Sequence, residues 1–172
     1  MEKIKRPTWD ESFMRMAKEV SQHSTCCKIQ VGCVIVRDKR VISIGYNGTP
    51  SGHEHCEDYF RKMAHPDDLA KTPDLNEVRV LMDHPNFKEY HRIYQKSNEL
   101  HAEQNAIAFA AKRGIPTEDC SLYVTHSPCN DCSKLIIAAG ISTVYFDIKY
   151  DGEEQGLELM KKSNIVIRRQ VI

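Results

Sequence analysis

Apolar positions along this chain recur with two different periods. Between residues 8 and 22, Trp9, Phe13, Met16 and Val20 return at steps of three and four, the spacing of one helix face. Thr8 and Glu11 have capping-box spacing at its start, and the four apolar residues are expected to form a core stripe. Val31 to Val36 and Val41 to Tyr46 are short apolar runs separated by the polar Arg37-Asp38-Lys39-Arg40, which reads as a β-hairpin. The next stretch, Asn47-Gly48-Thr49-Pro50-Ser51-Gly52, is rich in turn formers and reads as loop.

Residues 53 to about 98 are the least regular part. They hold five of the eight histidines (His53, His55, His65, His84 and His91) and the prolines Pro66, Pro73 and Pro85. The stretch reads as an insertion with some short helix. A structureless loop of this length is uncommon in a compact domain, so something is expected to anchor it. From His101 the pattern becomes regular again. His101 to Arg113 reads as a helix stopped by Gly114, Leu122 to Thr125 as a strand, and Asn130 to Ala139 as a helix stopped by Gly140. Thr143 to Phe146 reads as a strand, Glu153 to Ser163 as a helix weakened by Gly156, and Ile165 to Val171 as a last strand. Strands alternating with helices imply parallel pairing with helices packed on the sheet. The 172 residues suit a single domain, 1–172, carrying that insertion.

Composition narrows the function classes. The 24 basic and 24 acidic residues cancel. A protein that tracks a polynucleotide usually shows a basic excess, so a small-molecule substrate and no nucleic-acid partner are expected. Apolar runs are too short to span a membrane. The first twelve residues have no apolar secretory core. Seven cysteines, an odd number with no secretory signal, point to reduced thiols in a cytoplasm, available as metal ligands.

Two short pieces carry candidate chemistry: His101-Ala102-Glu103 and Pro128-Cys129-Asn130-Asp131-Cys132. Each opens an expected helix. Cys129 and Cys132 are three apart, so both thiols can reach one point off the first turn, where the helix N-terminus favours thiolates. Two thiolates and the His101 imidazole give Zn²⁺ three protein ligands and leave the fourth tetrahedral position for water, the catalytic pattern. Glu103, two residues beyond the histidine, can stand beside the metal without binding it, as a proton shuttle needs. The competing reading is a closed structural site with a fourth protein ligand. The combined H-x-E…P-C-x-x-C order is the signature of zinc nucleobase deaminases.

Further pieces extend the likeness in order along most of the chain. They are Ser24-Thr25-Cys26-Cys27 before Val31-Gly32, then Gly45-Tyr46-Asn47-Gly48-Thr49-Pro50-Ser51-Gly52. After these come Asn98-Glu99-Leu100-His101-Ala102-Glu103-Gln104-Asn105-Ala106-Ile107, Tyr123-Val124-Thr125-His126-Ser127-Pro128-Cys129, and Tyr150-Asp151. The sequence resembles the cytidine and deoxycytidylate deaminase superfamily, and within it the dCMP deaminases, including those of bacteriophages. The resemblance implies a three-layer α/β/α sandwich around a five-stranded mixed sheet. It implies hydrolytic deamination of dCMP to dUMP and ammonia, supplying dUMP for thymidylate synthesis, with zinc on His101, Cys129 and Cys132 and Glu103 moving protons. It also implies substrate contacts from Asn47 and Tyr150, with Ala102 and Ser127 beside them. Asn47-Gly48 is also a strong turn pair, and both roles can hold. Lys28 is a phosphate donor by position only, a solvated lysine being the simpler reading.

The phage-type relatives imply more. They carry a second, structural zinc, whose ligand positions fall on Cys26, Cys56, His91 and Glu99, with His84, His53 and His55 in reserve. His126 reads as a packing or substrate-loop residue. They are hexamers activated by dCTP with Mg²⁺ and inhibited by dTTP, and Phe109 and Lys112 fall near the relevant helix. The rival functions are a deaminase of another small substrate such as dCTP, cytidine or guanine, a polynucleotide deaminase, and a zinc module without chemistry.

Overall fold

The computed structural model describes residues 6–64, 85–150, 152 and 154–172. Among these residues the helices are α1 (Trp9–Ser21), α2 (Cys56–Ala64), α3 (Phe87–Asn98), α4 (Ala102–Lys112), α5 (Asn130–Ala138) and α6 (Glu154–Lys162). The strands are β1 (Gly32–Arg37), β2 (Arg40–Tyr46), β3 (Ser121–His126), β4 (Thr143–Ile148) and β5 (Val166–Arg169). They form one sheet in the order β2-β1-β3-β4-β5.

The hairpin forms where the polar turn was expected. Asp38 and Lys39 link β1 to β2 with φ of 50° and 58°, both positive, as a two-residue turn matched to strand twist requires. β3, β4 and β5 pair in parallel, as the strand–helix alternation implied, whereas β1 meets both β2 and β3 antiparallel. The sheet is therefore mixed.

Alternation along the strands sorts side chains into two layers. Val34, Val36, Tyr123 and Tyr145 face α1 and pack on Phe13, Met14 and Ala17. Cys33, Ile35, Leu122, Val124, Val144 and Phe146 face the other way, onto Ala102, Ala106, Ile136 and Met160 of α4, α5 and α6. One helix on one face and three on the other give the three-layer α/β/α arrangement.

The buried face of α1 differs from the expected stripe. Thr8 does cap the helix, its hydroxyl accepting from Glu11 N while the Glu11 carboxylate accepts from Thr8 N. Yet Trp9 is 51% and Met16 44% exposed. The cause is close approach: a Cβ at Gly32 would overlap the Ala17 carbonyl oxygen. The face that rests on the sheet is Phe13, Met14 and Ala17, with Val20 packed beside them, so Phe13 and Val20 of the expected stripe take part and Trp9 and Met16 do not.

A second bare contact sets the position of α4. A Cβ at Gly45 of β2 would overlap Ala102 O and Ala106 N, and Ser43 Oγ donates to Ala106 O at 2.6 Å. The start of α4, with His101 as its N-cap, is thereby held against the sheet edge. Gly48 and Leu100 exchange backbone hydrogen bonds of 3.1 and 2.9 Å, tying the loop after β2 to the residue before His101. Helices α2 and α3, in the irregular stretch, meet in an aromatic cluster of Phe60, Phe87 and Tyr94 around Cys26 and Cys56. His65, His84, Pro66 and Pro73 lie outside the described residues.

Candidate active site

Two helix starts converge on one point. His101 caps α4 and Cys129 caps α5, both with extended backbone. The Cys129 sulfur accepts from Cys132 N at 3.5 Å. His101 Nδ1 lies 3.5 Å from Cys129 Sγ and 3.4 Å from Cys132 Sγ. A tetrahedral zinc, with Zn–S about 2.3 Å and Zn–N about 2.05 Å, separates sulfur and nitrogen by about 3.6 Å. The three donors therefore fit zinc. No further His, Cys, Asp or Glu joins the cluster among the described residues, so the fourth ligand that a closed site needs is not among them.

Hydrogen bonding from Cys132, and then from His101, lowers the Cys129 thiol to about 4. Its hydrogen bond to Cys129 raises His101 to about 9. The Cys132 thiol is pushed up by its hydrogen bond to Cys129 and by burial. A divalent cation held by these three donors would displace their protons. Glu103, on the first turn of α4, is 4% exposed, and burial raises its carboxyl above the usual range. It interacts with both His101 and Cys132 yet lies outside the ligand cluster.

A second cluster unites Cys26, Cys56, His91 and Glu99, all buried, with ligand atoms within 4.8 Å of one another. Cys26 Sγ and His91 Nε2 are 3.2 Å apart. Both Glu99 carboxylate oxygens are buried without a hydrogen-bond partner among the described residues. A buried carboxylate is costly unless paired, and a cation between two thiols, an imidazole and this carboxylate would pair it. These donors fit a metal too, in a closed four-ligand pattern. His53 is exposed, and His55 Nδ1 bonds Thr49 Oγ1 at 3.2 Å; neither belongs to the cluster.

Residues 7–148 match the family of the cytidine and deoxycytidylate deaminase zinc-binding region. The chain is 34% identical over 166 residues to the ComE operon protein 2 of Bacillus subtilis, covering 96% of this chain and 73% of that one. It is 35% identical over 158 residues to the deoxycytidylate deaminase of Enterobacteria phage T4, covering 84% and 80%. A dCMP deaminase from the cyanophage S-TIM5, solved in complex with dCMP and dUMP, superposes with a TM-score of 0.69 at 28% identity, covering 97% of this chain and all of that one. The chain belongs to the cytidine and deoxycytidylate deaminase family.

In this deaminase the residues expected to meet substrate lie on two loops, one after β2 and one after the parallel strands. Ser127 and Tyr150 follow the parallel strands β3 and β4, at the carboxyl ends where α/β sheets place ligands. Ser127 N donates to Ile148 O and Tyr150 N donates to Ser127 Oγ, both at 2.8 Å. That clamp ties the loops after β3 and β4 together, and Tyr150 is 42% exposed. Asn47 is buried and braces the other loop: its Oδ1 accepts from Val31 N at 2.8 Å and its Nδ2 donates to Ile29 O at 2.9 Å. These two bonds leave one Oδ1 lone pair and one Nδ2 hydrogen unused. The Ala102 side chain packs in the core. Asp151 lies outside the described residues, and Lys28 is exposed.

Two neighbours of the deaminase's clusters were not singled out from sequence. Gln95 Nε2 lies 3.2 Å from His101 Nε2, and its signal in the sequence is the four-residue step from His91, which puts both on one helix face. Cys27 Sγ lies 3.5 Å from Cys56 Sγ, signalled only by adjacency to Cys26. His126 bonds Thr125 Oγ1 at 3.0 Å through Nδ1 and joins neither cluster.

Proposed function

We propose that this deaminase hydrolyses the exocyclic amine of dCMP, giving dUMP and ammonia. The observation that carries this reading is the three-donor centre of His101, Cys129 and Cys132 with Glu103 buried beside it. The names of the phage relatives support the substrate. When bound there, zinc supplies Lewis acidity that makes a water molecule nucleophilic near neutral pH. Glu103 takes the water's first proton and delivers it to N3 of the ring as oxygen adds at C4. It then carries the second proton to the amine, so C4 keeps the oxygen and ammonia leaves with three hydrogens. A carboxyl raised by burial suits a group that must both accept and donate near pH 7. The exposed Tyr150, its backbone N–H held by Ser127 Oγ, is proposed to cover the base, and Asn47 to offer its remaining amide hydrogen to the sugar.

The second cluster is proposed to hold a structural zinc that ties α2 and α3, and with them the insertion at about 53–98, to the segment before β1. Hexamer formation, activation by dCTP with Mg²⁺, inhibition by dTTP and supply of dUMP for thymidylate synthesis are carried by the resemblance. Phe109, exposed on α4, is the apolar group there that an assembly could cover. No helix among the described residues is long and apolar enough to cross a membrane.

Ammonia release should be measured on dCMP, dCTP, deoxycytidine and cytidine. dCMP is expected to be turned over fastest, and equal turnover of deoxycytidine would remove the nucleotide from the proposal.

A further inference from the structure

The two ring nitrogens of His101 have different partners. Nδ1 faces the Cys129 and Cys132 sulfurs, and Nε2 faces the side-chain amide of Gln95 at 3.2 Å. A ring that gives Nδ1 to a metal carries its proton on Nε2, and that proton needs an acceptor to fix the ring's orientation. A carboxamide suits both states of the site. Its NH₂ donates to a bare Nε2, and turned by 180° its oxygen accepts from Nε2–H. Gln95 is half-buried on α3, one turn after His91, and its carbonyl accepts from Glu99 N at 3.0 Å. His91 and Glu99 both belong to the second cluster. The same helical turns that close that cluster therefore deliver Gln95 to His101.

We propose that Gln95 is a positioning residue, whose amide oxygen accepts from His101 Nε2–H and keeps Nδ1 aimed at the point shared with the two sulfurs. This rests on reading His101 as a metal ligand through Nδ1. It assigns to the insertion a part in building the active site.

The test compares Gln95→Leu, which keeps bulk and removes the acceptor, with Gln95→Glu, which keeps an acceptor. Zinc retention is read by titration with a coloured chelator, and the zinc missing from a Cys129→Ser protein is assigned to the first cluster. In Gln95→Leu that zinc is expected to bind about 10–100-fold more weakly. Its kcat should fall with KM little changed, and the His101 Nε2–H resonance should move in long-range ¹H–¹⁵N spectra. Gln95→Glu is expected to restore zinc retention. Parental zinc affinity and kcat in Gln95→Leu would overturn the proposal. So would a Gln95→Glu protein as weak as Gln95→Leu, because bulk and not the acceptor would then matter. Should Gln95→Leu fail to fold, Gln95→Asn, which withdraws the acceptor by one methylene, takes its place with the same expectations. Zinc retention needs no substrate, so a parent protein that binds zinc but leaves dCMP unchanged defeats the functional reading while this one is still decided by the metal.

Discussion

Replacing Glu103 with alanine is expected to leave the zinc content of the protein unchanged and to lower turnover of dCMP by about 10²–10⁴-fold. The expectation follows from where the carboxylate sits. It is buried on the first turn of α4 and interacts with His101 and Cys132, but it is not one of the clustered donors. Its loss therefore removes the proton carrier and spares the metal. Glu103→Gln separates this from packing, since the amide keeps the shape and cannot carry a proton between water and ring. Both variants should be assayed for metal by elemental analysis and for kcat by ammonia release. Turnover within about threefold of the parent, well inside the range a proton-transfer group commands, would remove Glu103 from the mechanism. Loss of zinc along with turnover would make it a ligand instead.

The second large effect is expected at the other cluster. Cys56→Ser should reduce the zinc content from two ions per chain to one and destabilise the fold by about 3–5 kcal/mol, the scale seen when a buried charge loses its partner. For a chain of this size that corresponds to a Tm lower by roughly 6–20 °C. The buried Glu99 carboxylate is the reason. Its oxygens have no hydrogen-bond partner among the described residues, so without a cation it stays uncompensated between α3 and α4. The Cys27 thiol, 3.5 Å from Cys56, is close enough to substitute. The double variant Cys27→Ser/Cys56→Ser closes that route, and calorimetry with metal analysis reads both. Two zincs and an unchanged Tm in the double variant would refute a metal role for this cluster.

What was legible in the sequence follows the range of the forces involved. Cys129 and Cys132 stand on one first turn, and their convergence depends on local spacing that a sequence displays directly; His101 joins them across 28 residues, and only the order of the whole motif signalled it. The hairpin turn at Asp38-Lys39 and the Thr8 cap are equally local. Of the expected α1 stripe, Phe13 and Val20 pack on the core while Trp9 and Met16 do not, because periodicity identifies a stripe but not which edge of it meets the sheet. Gly32 against Ala17, a contact between distant segments, decides that. Gly156 counted against a helix on propensity, yet it is buried in α6, where a Cβ would lie 3.1 Å from the Cys129 carbonyl. Its missing side chain lets α6 approach the start of α5. Gln95 went unnoticed because its significance depends on an approach between two helices, and a glutamine on an amphipathic helix looks like any solvated residue.

In the proposed reaction solvent oxygen replaces the amine at C4 of dCMP in a site built by His101, Cys129, Cys132 and Glu103. Running the reaction in ¹⁸O-water and weighing the product by mass spectrometry tests it most directly. The expected product is dUMP carrying one ¹⁸O atom on the base, formed in equal amount with ammonia. Unchanged dCMP from zinc-loaded protein, or dUMP without the label, would contradict it.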